Sequence, residues 1–134
     1  MYTAVESGAK TTSVYSGNVL VVEDNQVNQM IITKILADSG LKVSIAVNGA
    51  EAVEQVKSND YALILMDLEM PILGGIAATK LIREQKLTQA PILALTAHDN
   101  LATRRLCKEA KMNGYLIKPL NMESLRPQLD KYLT

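Results

Sequence analysis

Five short apolar runs, each followed by a longer stretch with the spacing of an amphipathic helix, constrain this chain more than any other feature. The runs are Val19 to Val22, Lys42 to Ala46, Ala62 to Met66, Ile92 to Leu95 and Tyr115 to Ile117. Most are almost uniformly apolar, the pattern of parallel strands covered on both faces. Between them Val27, Met30, Ile31 and Ile35 recur at helical spacing, as do Gly49, Ala52, Val53 and Val56, and then Gly75, Ala78, Thr79 and Ile82. Each set supplies one face to lay on a sheet. A fourth helix is predicted from about Asp99 to Ala110, and a fifth from Asn121 onward with Met122, Leu125, Leu129 and Leu133 inward. Pro127 falls inside the fifth, where its missing backbone donor predicts a bend or a delayed start.

Five consecutive β-α units with right-handed crossovers most simply build an α/β fold, a doubly wound (βα)5 of the flavodoxin-like kind, its five parallel strands in the order 2-1-3-4-5. A chain of 134 residues has room for one such domain. Met1 to Gly17, rich in Ser, Thr and Gly, reads as a flexible leader or linker, and the folded unit is expected over 18–134. Lys plus Arg balances Asp plus Glu at 14 each, so no overall field points to nucleic acid or a membrane surface. Cys107 is the single cysteine, which rules out an internal disulfide and favours the cytoplasm; its place on a helix suggests a small packed hydrophobe. No segment has the roughly 18 consecutive apolar residues of a membrane span.

In doubly wound sheets, ligands bind at the carboxyl ends of the strands. The residues found there are Glu23 and Asp24 after the first run, Asp67 after the third, Thr96 after the fourth and Lys118-Pro119 after the fifth. Three carboxylates in one hollow repel one another, and would either take up protons or hold a cation; hard oxygen ligands suit Mg²⁺, with Mn²⁺ a substitute. Beside such an ion, Asp67 could attack phosphorus while the Lys118 ammonium and Thr96 hydroxyl stabilise charge on the equatorial oxygens. Asp24, with Glu23 directly or through water, would hold the metal, and the Glu69 backbone carbonyl could add another oxygen.

Val22-Glu23-Asp24-Asn25-Gln26-Val27-Asn28-Gln29, Met66-Asp67-Leu68-Glu69-Met70-Pro71, Ala94-Leu95-Thr96-Ala97 and Tyr115-Leu116-Ile117-Lys118-Pro119 together resemble response-regulator receiver domains of two-component signalling. The first motif is similar to receivers of hybrid sensor histidine kinases. The resemblance spans roughly residues 18 to 133. It implies that a phosphohistidine on a histidine kinase or histidine phosphotransfer domain donates to Asp67, in a Mg²⁺-dependent transfer that the receiver catalyses itself, and that the acyl phosphate later hydrolyses. It further implies that Thr96 swings toward the phosphoryl group and Tyr115 turns inward, repacking the face of helix four, strand five and helix five. A cis peptide at Lys118-Pro119 is implied as well, and roles for Glu69 and His98 in setting the phosphoryl lifetime. The chain would then be a single-domain regulator or a piece of a hybrid kinase, the leader favouring the second; it could be the cytoplasmic part of a membrane-bound sensor.

The chain departs from the family pattern at Gly74-Gly75, where Asp-Gly is common, and at Lys111, where Gly is common. A lysine in a left-handed helix end costs about 1 kcal/mol relative to Gly. Singly, each site residue has a plainer reading: Glu23-Asp24 a solvated pair, Asp67 a turn residue before Pro71, Thr96 a helix cap, His98 an exposed loop histidine, Tyr115 a cover for the sheet edge. Together, the required types at four strand ends leave little room for coincidence. A small phosphatase of the haloacid-dehalogenase type would use similar groups, but wants a second aspartate where Glu69 stands, and more chain for a cap. A flavodoxin-like redox carrier needs a phosphate cradle that Glu23-Asp24 would repel. A phosphorylation-silent interaction module is opposed by the intact set of groups.

Overall fold

The computed structural model describes residues 15–133. Ten elements alternate: β1 (Asn18–Val22), α1 (Gln26–Asp38), β2 (Lys42–Ala46), α2 (Gly49–Ser58), β3 (Leu63–Asp67), α3 (Gly75–Glu84), β4 (Ile92–Thr96), α4 (Leu101–Glu109), β5 (Gly114–Ile117) and α5 (Met122–Leu133). The strands pair in parallel in the order β2-β1-β3-β4-β5, as expected. The order reverses between β1 and β3, so their loops flank the crevice where ligands bind in such sheets.

Successive strand residues point to opposite faces, and two buried clusters follow from that alternation. Val19, Val21, Leu63, Leu65, Leu93, Leu95 and Leu116 pack with Ile32 and Leu36 of α1 and Leu125 and Leu129 of α5. Leu20, Val22, Ile64, Met66 and Ile92 pack with Ala52, Val53 and Val56 of α2 and Ala78 and Ile82 of α3. Gly75 fits only because it lacks a side chain: a Cβ there would come within 2.2 Å of the Asp67 carbonyl oxygen. That contact seats α3 directly beneath the end of β3.

Three expectations are corrected. The inward face of α1 is not Val27, Met30 and Ile31, which are 63%, 71% and 48% exposed; Ile32 and Leu36 are buried and Ile35 packs partly against them. Apolar residues occupy more than half of this helix's circumference, so two overlapping stripes both satisfy the i, i+3, i+4 rule. The stripe that meets α5 wins. Pro127 does not delay α5, which runs unbroken from Met122 to Leu133. Asn121 caps it by accepting from the Ser124 N–H at 2.9 Å, and Glu123 and Pro127 both lie on the solvent side, where water can serve the carbonyl that lacks an amide partner. Finally, α4 starts at Leu101 rather than Asp99, because Asn100 is the cap, accepting from Thr103 N–H at 2.9 Å.

Residues 1–14 of the expected leader lie outside the described residues. Tyr15, in the described end of the leader expected over residues 1–17, is buried against the α1 and α5 layer. Its N–H donates to the Ser39 carbonyl at 3.1 Å and its hydroxyl donates to the Asp130 carboxylate. Lys111 does take up the left-handed conformation, at φ 70°.

Candidate functional site

Four of the five strands, β1, β3, β4 and β5, hand polar residues to the same end of the sheet. Glu23, one residue past β1, still belongs to the ladder, its N–H donating to Ala46 of β2 at 3.0 Å. Asp67 is the last residue of β3 and Thr96 the last of β4. All three are buried among apolar strand residues, whereas Asp24 is exposed. Carboxylate oxygens of Glu23, Asp24 and Asp67 lie within 4.8 Å of one another.

Lys118 reaches into this cluster from the turn after β5. Its ammonium is 3.0 Å from Glu23 Oε1 and 3.1 Å from Asp67 Oδ2. The Lys118-Pro119 bond is cis, as the motif implied. Burial alone would lower the Lys118 pKa; hydrogen bonds to Glu23 and Asp67 and their charges overcome it and hold the pKa above the ordinary lysine value. The remaining oxygens take backbone donors: Asn25 N–H to Glu23 Oε2 at 3.1 Å, and Glu69 N–H to Asp67 Oδ1 at 3.2 Å. Glu69 therefore meets Asp67 through its backbone, while its side chain points to solvent.

Three carboxylates and one ammonium formally leave two negative charges in the crevice. The donor set is entirely hard oxygen, with Asp24 open to water, so the residues fit a divalent cation of the Mg²⁺ type.

Thr96 is brought to the same rim, but its hydroxyl is engaged by the loop that follows. It accepts from the His98 N–H at 3.0 Å and donates to the His98 carbonyl at 3.4 Å. The exposed His98 ring lies with Nε2 3.5 Å from Glu69 Oε2, bridging the loops after β3 and β4. Tyr115 is half-buried beside α4, with the Arg104 guanidinium 5.0 Å above its ring. Arg104 is in turn held by Asp99, which accepts from Nε at 3.0 Å and Nη2 at 2.6 Å.

Two partners escaped the sequence reading. Nothing in residue order singles out Arg104, since its contact with Tyr115 crosses from helix to strand. Gln29, on the second turn of α1, donates from Nε2 to the Glu23 carbonyl at 2.7 Å. Asn25 caps α1, accepting from Asn28 N–H at 2.9 Å.

The family model for the response regulator receiver domain matches residues 19–130. This chain belongs to that family. Among curated relatives, the receiver is 38% identical over 127 residues to hybrid signal transduction histidine kinase G of Dictyostelium discoideum, covering 92% of this chain but only 4% of the kinase. Among solved structures, it resembles the receiver domain of a sensor histidine kinase from Pseudomonas aeruginosa, determined with a magnesium ion coordinated in the active site cleft. The TM-score is 0.80 at 37% identity, covering 87% of this chain and 97% of that one. It also resembles the Saccharomyces cerevisiae Ssk1 receiver domain, co-crystallised with the histidine phosphotransfer protein Ypd1, at TM-score 0.84 and 33% identity, covering 90% and 91% of the two chains. Among the described residues of this receiver, no helix is long and apolar enough to cross a membrane.

Proposed function

We propose that Asp67 accepts a phosphoryl group from a phosphohistidine on a histidine kinase or histidine phosphotransfer domain, and that Mg²⁺ is held by Glu23, Asp24, Asp67 and the Glu69 backbone carbonyl. The observation that carries this reading is the Lys118 ammonium set between Glu23 and Asp67, with Asp24 at the open side of the same carboxylate cluster.

Asp67 attacks phosphorus through a carboxylate oxygen as the P–N bond to the donor imidazole breaks; the imidazole leaves with the bonding electron pair and takes up a proton. Lys118, already desolvated beside Asp67, stays charged and meets the negative charge on the transferred oxygens. When bound, Mg²⁺ supplies Lewis-acid stabilisation of the phosphoryl oxygens. The Thr96 hydroxyl has one hydrogen to donate, so turning to the phosphoryl group means leaving the His98 carbonyl. That releases a constraint on the loop carrying Asp99, and through Asp99 and Arg104 on the Tyr115 ring. Glu69 and His98, paired across the mouth, set how readily water reaches the acyl phosphate. The lone, buried thiol of Cys107 accords with a cytoplasmic setting.

Intact-mass spectrometry after incubation with a small acyl-phosphate donor tests the reading. A single phosphoryl increment that requires Mg²⁺ and disappears in Asp67→Asn is expected. An increment that persists in Asp67→Asn, or none with Mg²⁺ present, refutes it.

A further inference from the structure

Asp24 differs from the other candidate metal ligands. Glu23 and Asp67 are each fixed by an ammonium and a backbone N–H, whereas the Asp24 carboxylate has no hydrogen bond among the described residues. With no bond to hold its rotamer, its reach toward the cluster is limited by where the backbone places its Cα, and that backbone has just left the sheet. The last ladder bond is the Glu23 N–H to Ala46; the Glu23 carbonyl beyond it shares its peptide plane with the Asp24 nitrogen. Rotation of that plane swings the Asp24 side chain away from Glu23 and Asp67.

The group that stops the rotation is the Gln29 side chain, whose Nε2 meets the Glu23 carbonyl at 2.7 Å. Gln29 is itself anchored, its N–H donating to the Asn25 carbonyl at 2.9 Å. The Glu23-Asp24-Asn25 turn is thus gripped at both ends by one residue of α1, one full turn into a helix whose cap is Asn25 itself. A helix with its cap already in place does not need this bond to begin.

We propose that Gln29 is a positioning residue for the divalent cation: its carboxamide fixes the Glu23-Asp24 peptide so that the Asp24 carboxylate is held ready for the metal. The inference rests on the reading that Glu23, Asp24 and Asp67 bind Mg²⁺. Outer groups that orient metal ligands change affinity by about 10-fold to 100-fold when removed, and with Asp24 only one ligand is affected, so the lower end applies.

The test is Gln29→Met, which keeps side-chain length and helix preference but removes the donor, with Gln55→Met as its control. Gln55 makes the same kind of bond, from α2 to the Ile45 carbonyl at 2.9 Å, away from the carboxylate cluster, and it also accepts from the Tyr61 hydroxyl at 2.7 Å, so its loss sets an upper limit on the cost of a structural amide. Mg²⁺ affinity is measured by calorimetry and the metal-free melting temperature by circular dichroism. Gln29→Met should raise the Mg²⁺ Kd about tenfold while its metal-free melting temperature falls no further than that of Gln55→Met, whose Kd stays at the wild-type value. The proposal is overturned by a Gln29→Met Kd within about twofold of wild type. It is equally overturned by a metal-free destabilisation exceeding the control's, which would make Gln29 a structural prop. If wild type itself takes up no Mg²⁺, the metal reading falls and this inference with it.

Discussion

At the scale of single residues, Lys118 decides most about the site. It sits between two carboxylates that burial would otherwise leave uncompensated, with Glu23 only 1% exposed. Lys118→Met should destabilise the receiver by about 3 kcal/mol, since removing one partner strands the buried charges. The raised pKa gives this contribution a pH signature. A group whose folded pKa is raised stabilises fully below its unfolded value, here the ordinary 10.5, and loses that contribution as pH climbs through the higher folded value. Urea unfolding of wild type and Lys118→Met should therefore differ fully at neutral pH and converge in the alkaline range; a gap that widens there would contradict the sign. Lys111 is the opposite kind of residue, one that strains the fold without touching the chemistry. At φ 70° it occupies a conformation that glycine adopts freely, so Lys111→Gly should stabilise by about 1 kcal/mol in the same measurement. Its carbonyl, which accepts from Arg83 Nε at 3.2 Å, survives the change.

At the scale of elements, α1 is the most instructive. Its sequence carries apolar residues around so much of its circumference that periodicity alone admits two orientations. The structure turns Ile32 and Leu36 to the core and Val27, Met30 and Ile31 outward. Leu36→Ala should accordingly cost about 3 kcal/mol, whereas Met30→Ala, at a side chain 71% exposed, should stay within about 0.5 kcal/mol. Comparable losses for both would restore the stripe that periodicity first suggests. The same element bears on the metal, because its rotation determines that Gln29 faces the Glu23 carbonyl. For α4, the side that matters is the one bearing Arg104, which ties the loop after β4 to Tyr115 on β5.

At the scale of the molecule, fold and site are coupled through a charge surplus: the crevice formally holds two more negative than positive groups. A cation that binds only the folded state stabilises it by mass action, so the melting temperature should climb with Mg²⁺ concentration and fall back on chelation, with less dependence in Asp67→Asn. An Mg²⁺-independent melting temperature in wild type would argue against the assembled site. Residue order alone was enough to read the α/β class, the strand order and the identity of the residues at the strand ends. Buried parallel strands must be apolar throughout, so their ends announce themselves, and a polar residue placed just past such a run has little choice of direction. Features set by packing between distant segments could be read only once the chain was folded. These include the rotation of α1, chosen by what α5 offers it, the grip of Gln29 on the turn after β1, and the stack of Arg104 on Tyr115. Each depends on the orientation of one surface against another, and local periodicity, which repeats identically whichever way a helix is turned, carries no record of it.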